Sequence, residues 1–261
     1  RITRALEGRN EYKTDRLSAE TPADWAKENN IALSLGGIHN FDDNFGMVLD
    51  GHYTVKDQDS YFAGSSNHIV DTVLRHYSLT PRFTYDYQLK NMPSKNIFGI
   101  DMNYADYSSD RKASVHVTQP KQRHESNQLS VSLYSQNSVS LSDNINLSGG
   151  LRFQRMLFNG GTVLHKDAEG DPDAEDNDTI SQSDNRLGAN IGIEYFLQPN
   201  FSVFGRSARS FRIANIDERI GADGSSMALK PQISYDFEIG TLYEKNKFSI
   251  QSSIYLMFLR N

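Results

Sequence analysis

Residues 199–261 read PNFSVFGRSARSFRIANIDERIGADGSSMALKPQISYDFEIGTLYEKNKFSIQSSIYLMFLRN, and the alternation within this stretch decides the fold. From Ile233 onward one face carries Ile233, Tyr235, Phe237, Ile239 and Tyr243, with Thr241 as its polar member; the other carries Gln232, Ser234, Asp236, Glu238 and Gly240. Successive side chains of a strand point to opposite faces, so this is a strand with one apolar and one wet face. Beyond a tight turn at Lys245, Asn246 and Lys247 the pattern repeats: Phe248, Ile250, Ile254, Leu256 and Phe258 alternate with Ser249, Gln251, Ser253 and Tyr255. A slip of one residue would reverse both faces, so the register is strongly specified. Upstream, Phe201 to Phe211 forms a strand, and a loop rich in charge and glycine joins it to the hairpin.

The rest of the chain repeats this rhythm. Alternating strands are expected at Ile31 to His39, Phe45 to Val55, Thr72 to Leu89, Asn96 to Tyr107, Leu129 to Val139, Ile145 to Phe158 and Leu187 to Phe196. Arg1 to Tyr12 alternates weakly and makes about eleven strands in all. Thr21, Pro22 and Asp24 before Trp25 and Ala26 carry a helix-start pattern and predict a short loop helix. Connections near 41, 91, 142, 199 and 245 are tight, whereas those near 20, 62, 115, 170 and 220 are long. Short turns at one end and long loops at the other are the asymmetry of an outer-membrane barrel. The strand from Thr72 to Leu89 exceeds the roughly 9–11 residues needed to cross a bilayer, so it should project beyond the membrane.

Composition agrees with this. The apolar fraction is 37%, low for a globular interior but natural where each strand gives one face to lipid and the other to water. There is no run of about 18 apolar residues to make a transmembrane helix. The chain has no cysteine, which excludes disulfides and thiolate metal sites. The formal net charge of −6 argues against nucleic acid as a partner. Lys166 to Asp178 holds one lysine and seven acids, a solvated acidic loop or a weak site for divalent cations. Arg1 opens without a signal-peptide pattern, so the chain is expected to be mature or truncated.

The stretch quoted first also resembles the TonB-dependent outer-membrane receptors, whose barrels carry a Phe-Arg-x-Pro-Asn-x-x-Glu pattern followed by Leu-x-Pro-Glu-x-Ser-x-x-x-Glu-x-Gly. Here stand Phe211, Arg212, Asn215 and Glu218, then Leu229, Pro231, Ser234, Glu238 and Gly240. Ala214 replaces the proline and Gln232 the first glutamate of the second pattern. The resemblance implies an all-β, antiparallel transmembrane β-barrel, partial, with about eleven strands of a 22-stranded whole. Residues 1–261 would be part of one barrel domain, with the plug, its TonB box and the terminal strands outside the chain. It further implies a bacterial outer-membrane transport receptor that binds a scarce nutrient complex, foremost a ferric siderophore, and imports it with energy from TonB. Iron would enter only within the transported chelate, so no resident cofactor is expected. The expected partners are a small-molecule metal chelate, TonB through the plug, and outer-membrane lipid and lipopolysaccharide.

Candidate ligand contacts in the outer loops and upper lumen are Tyr61, Phe62, His76, Arg152, Arg206 and Arg212. Arginine charge and aromatic stacking would hold an anionic chelate. The same arginines could instead meet lipopolysaccharide phosphate or neighbouring carboxylates. Asp50, Arg82, Asp101, Glu194 and Glu238 are expected on the lumen wall facing the plug. Phe83, Tyr85, Tyr87, Tyr195 and Phe248 fall near the short-turn ends, where an aromatic girdle is expected. His52 and His76 share the lumen face and could ligate a metal, although solvated lumen histidines are commoner. No catalytic residue or metal site is assigned, since there is no Gly-x-Ser-x-Gly elbow or Walker loop, and Gln128 stands where a zinc helix beginning at His124 and Glu125 needs a second histidine. A passive porin or surface-adhesion barrel is the alternative function, and a soluble all-β binding protein the alternative fold.

Overall fold

The computed structural model describes residues 23–62, 69–113, 120–164, 177–219 and 227–260. Within these, ten strands follow one another: β1 (Trp25–Asn40), β2 (Phe45–Tyr61), β3 (Ile69–Leu89), β4 (Met92–Lys112), β5 (Gln122–Ser142), β6 (Ile145–Leu164), β7 (Asn177–Gln198), β8 (Phe201–Arg212), β9 (Gln232–Lys245) and β10 (Phe248–Arg260). They form one antiparallel sheet in sequence order. The sheet is open, with β1 and β10 at its edges. The eleventh expected strand, Arg1 to Tyr12, lies outside the described residues, as do Thr21, Pro22 and most of the acidic segment 166–178.

Three expectations need correction. No helix starts at Trp25; Trp25 and Ala26 begin β1, where they pair with Tyr61 and Ser60. Backbone pairing with β2 satisfies donors that a helix cap would otherwise serve. The strands also run further outward than hydrophobic alternation predicts, β2 through Tyr61 and β4 through Lys112. Above the membrane both faces of a strand are wet, so alternation stops while hydrogen bonding continues. The turn expected over Lys90 to Lys95 is only Lys90 and Asn91, both at positive φ (50° and 67°) between the paired Leu89 and Met92, a two-residue hairpin loop whose twist suits the strands.

Direct pairing keeps the two faces separate across the sheet. Glu238 pairs with Arg206, Arg206 with Gly192 and Gly192 with Ser148, all on the wet face. The opposite face carries two aromatic rows. At the short-turn end Phe45 stacks on Phe83 (5.9 Å) and Phe83 on Phe98 (5.3 Å), while Tyr85 stacks on Tyr87 (5.6 Å). Toward the long loops, Tyr53 meets Tyr77 (4.8 Å) and Tyr77 meets Tyr104 (6.2 Å). Along β2 the rows are eight residues apart, about 27 Å of strand or about 20 Å of membrane normal at the tilt usual for barrels. Beyond the upper row the same face turns charged, with ion pairs Arg75–Asp106 (3.2 Å), Lys112–Asp71 (2.7 Å) and Arg123–Asp110 (2.8 Å). The wall therefore continues outward past the lipid.

The accessible area is 17180 Å², whereas a compact soluble domain of 29.5 kDa would expose about 11,500 Å². Among the described residues only Ile69, Met156, Phe158, Ala214 and Ile216 are buried hydrophobics. Leucines and isoleucines of the outward face, such as Leu35 at 80% and Ile254 at 78%, stand exposed. A sheet with so little interior leaves that apolar face to be covered from outside, as lipid covers the outward face of a membrane barrel.

Candidate functional site

The small core sits inside the lumen. After Arg212 ends β8, residues 213–219 turn inward and lie against the wet face of β3 to β7 as a shelf. Glu218 fixes the turn: its carboxylate accepts the Asn215 N–H at 2.9 Å and the Arg212 guanidinium. A carboxylate reaching back three residues to a backbone N–H is the capping-box device. The Asn215 donor, then Arg212, holds the Glu218 carboxyl below its usual range. A single 3-10 turn, Asp217–Arg219, follows.

Ile216 packs on Met156 and Phe158, both fully buried, with Leu74, Tyr107 and Ile180 around them. Arg219 is 0% exposed. Its guanidinium lies 4.7 Å from the Phe158 ring centroid, and Nη1 donates to Gln182 Oε1 at 2.6 Å. Gln182 Nε2 in turn donates to Asp184 and to the Leu229 carbonyl, and the Met227 N–H donates to the Arg219 carbonyl. Burial pushes the Arg219 pKa down, with Asp184 and Glu218 opposing, and the group stays protonated.

Between shelf and wall lies a cavity of about 550 Å³, lined by Lys56, Gln58, Thr72, His76, Asn103, Gln128 and Ser130 from the strands and by Asn215, Ile216 and Asp217 from the shelf. Further down, a cavity of about 680 Å³ surrounds Arg152 and Arg206, and one of about 650 Å³ surrounds Lys95, Glu194 and Glu238.

The expected site residues divide accordingly. His76 lines the outer cavity, 6.5 Å ring to ring from His52, whose nitrogens meet Ser34 and Thr54. Among the described residues no three potential metal ligands converge. Arg152 and Arg206 are not near outward strand ends: Arg152 sits mid-strand in β6, which runs on past the expected Phe158 to Leu164, and Arg206 sits midway along β8, which ends at Arg212 much as expected. Arg152 donates to Asp101 at 2.6 Å and to Ser132, and Arg206 lies 3.4 Å from Glu238. Two residues expected to hold ligand are thus ion-paired to two expected to face the plug. Arg212 is taken by Glu218.

Glu194 accepts from Ser202 at 2.6 Å, Asp50 lies over Gly36, and Arg82 faces the lumen from the lower half of β3. Tyr61 does not crown a loop; it ends β2 on the outward face, stacked 6.5 Å from Trp25, and Phe62 follows it. The expected girdle is present in Phe83, Tyr85 and Tyr87.

With this geometry in place, comparison gives the lineage. The family model described as TonB dependent receptor-like, beta-barrel, matches residues 3–261. The chain belongs to the TonB-dependent receptor β-barrel family. No curated protein sequence matches it. Among solved structures, it is similar to the ferric yersiniabactin uptake receptor FyuA from Yersinia pestis (TM-score 0.71, 17% identity, 93% of this chain and 38% of that one). It is also similar to the ferric citrate transporter FecA (0.69, 16%, 96% and 37%), and to the Serratia marcescens hemophore receptor HasR (0.70, 15%, 92% and 41%). At these identities the likeness carries the fold. The chain spans about two-fifths of each receptor's length, so its open ten-stranded sheet matches part of a TonB-dependent receptor barrel. Members of the family are bacterial outer-membrane proteins, and those it resembles are transporters.

The family patterns acquire physical roles here. Arg212, Asn215 and Glu218 make the turn that sends the shelf inward, while buried Ala214 stands at the proline position. Glu238 pairs with Arg206, and Gly240 leaves room for the Phe204 ring, which would come within 2.5 Å of a Cβ there.

Sequence reasoning missed the shelf and its seat. Their signal was present: on the wet face of β6, Asn146, Ser148, Arg152 and Gln154 give way to Met156 and Phe158, two consecutive apolar positions pointing where water was expected.

Proposed function

We propose that this chain is part of the barrel of an outer-membrane receptor that captures a scarce nutrient chelate, foremost a ferric siderophore, and imports it with energy from TonB acting on a plug domain outside these residues. The observation that carries the reading is the shelf: a family barrel wall that folds a connecting segment inward and encloses a polar cavity at its outer end is built to hold something there. The relatives described above take ferric yersiniabactin, ferric citrate or a hemophore with heme, which supports a metal-containing cargo. Binding and release need no covalent step, and the iron is cargo. Lipid meets the outward face, with lipopolysaccharide above the upper aromatic row.

The test is uptake of radiolabelled iron chelates, ferric citrate and heme by cells carrying the full-length protein, with and without TonB. Saturable uptake that stops when TonB is removed is expected. Ion conductance through planar bilayers with no saturable binding of any chelate would make the protein a passive pore and overturn the reading.

A further inference from the structure

Among the described residues, the cations at the outer cavity and in the wall beneath it are paired, apart from Arg82 low on β3. Lys56, at the outer cavity, lies 2.9 Å from Glu28. Arg186 is held at 2.9 Å by Asp184, Arg152 at 2.6 Å by Asp101, Arg206 at 3.4 Å by Glu238, and Arg212 by Glu218. Arg219 is shut beneath the shelf against Phe158. Asp217 adds a carboxylate to the cavity lining. A polyanion entering here would have to break ion pairs or approach carboxylates across a partly desolvated wall, where like charge is least screened.

The remaining lining is neutral and rich in hydrogen-bonding groups: carboxamides from Gln58, Asn103, Gln128 and Asn215, hydroxyls from Thr72 and Ser130. Gln128 is the informative member. Its Oε1 is buried and has no hydrogen-bond partner. A buried acceptor left unmade is destabilising, and a ligand donor would satisfy this one once the carboxamide rotates to face the cavity.

We propose that the outer cavity beneath residues 213–219 selects a charge-neutral chelate rich in amide, hydroxyl or hydroxamate groups and disfavours polyanionic chelates. The inference rests on the receptor reading above. Charge separates the two classes cleanly: a ferric ion held by three singly charged hydroxamates is neutral, whereas one held by three doubly charged catecholates keeps three negative charges.

The experiment is calorimetry on the full-length receptor in detergent with a ferric tris-hydroxamate and a ferric tris-catecholate, at about 0.02 M and about 0.3 M salt. The neutral chelate should bind at least about tenfold more tightly, with a Kd that moves less than about twofold with salt. Gln128→Met, which keeps the length of the side chain but removes the acceptor, should weaken the neutral chelate at least about fivefold. Glu28→Gln, which releases Lys56, should strengthen the catecholate. Catecholate binding equal to or tighter than that of the hydroxamate, falling with salt, would overturn the selection while leaving a receptor in place. Failure to bind either chelate, with conductance in bilayers, would overturn both the selection and the receptor reading. Heat-modifiable migration of each variant on gels checks that it has folded.

Discussion

Glu218 ties two separate groups into one turn, and its ionisation is the lever on the shelf. Its carboxyl is held below the ordinary value of 4.5, first by the Asn215 N–H and then by Arg212. A carboxylate whose folded pKa is depressed contributes stability that is present above the unfolded value and lost as pH falls through the folded one. The shelf should therefore be closed at neutral pH and loosen only below about pH 4.5. Hydrogen–deuterium exchange of residues 213–219, corrected for intrinsic rates, should show protection at about pH 7 that declines by about pH 4. Glu218→Gln should exchange rapidly at both. An unchanged pH profile in that variant would assign the effect to another group. Arg219 asks a different question, because its Nε and Nη2 are buried without partners. Replacing a poorly compensated buried charge by an apolar side chain of similar length is often neutral or stabilising. Arg219→Met should thus keep the shelf protected, whereas Arg219→Ala, which leaves a void beside Phe158, should open it by about 1–3 kcal/mol in the same exchange measurement.

Single elements carry their own tests. Lys90 and Asn91 both occupy the left-handed region, where asparagine is tolerated and a lysine pays steric cost. Lys90→Asn should stabilise the β3–β4 hairpin by about 0.5–1 kcal/mol, read as a higher urea midpoint of refolding into micelles. Gly240→Val should do the reverse by about 1–3 kcal/mol, since its side chain would overlap the Phe204 ring and the Ser252 carbonyl.

These elements also mark how far the sequence could be read. The strands in lipid were legible because one face must be apolar and the other wet, which writes a period of two into β9 and β10. Their outer extensions were not, because above Tyr53, Tyr77 and Tyr104 neither face needs to be apolar and backbone pairing alone continues the strand. Ion pairing between Arg152 and Asp101, 51 residues apart, depends on register across β4, β5 and β6 and leaves no local trace. Trp25 was misread for a related reason: a cap pattern is local, and pairing with β2 overrode it. The shelf lay between the two, with its family motif visible and Met156 and Phe158 breaking the wet face, though only the structure shows that one packs on the other.

At the scale of the molecule, the question is what the outward face touches. Leu49 lies on it between the two aromatic rows, four residues from Phe45 and four from Tyr53, and is 38% exposed. Asp57 lies on the same face of the same strand, beyond the upper row. If lipid covers the band between the rows, a charge at Leu49 must enter hydrocarbon, and a charge at Asp57 remains in water or among headgroups. Leu49→Arg should then cost about 2–4 kcal/mol in refolding into phospholipid vesicles, and Asp57→Arg about 0–1 kcal/mol. A soluble sheet reverses the expectation, because there an exposed leucine replaced by arginine gains solubility at little cost. The full-length protein, refolded from urea into vesicles and followed by heat-modifiable migration, distinguishes these outcomes. Equal tolerance of both substitutions would remove the membrane from this face, and with it the reason for a wall whose apolar side looks outward and whose small core lies within the lumen.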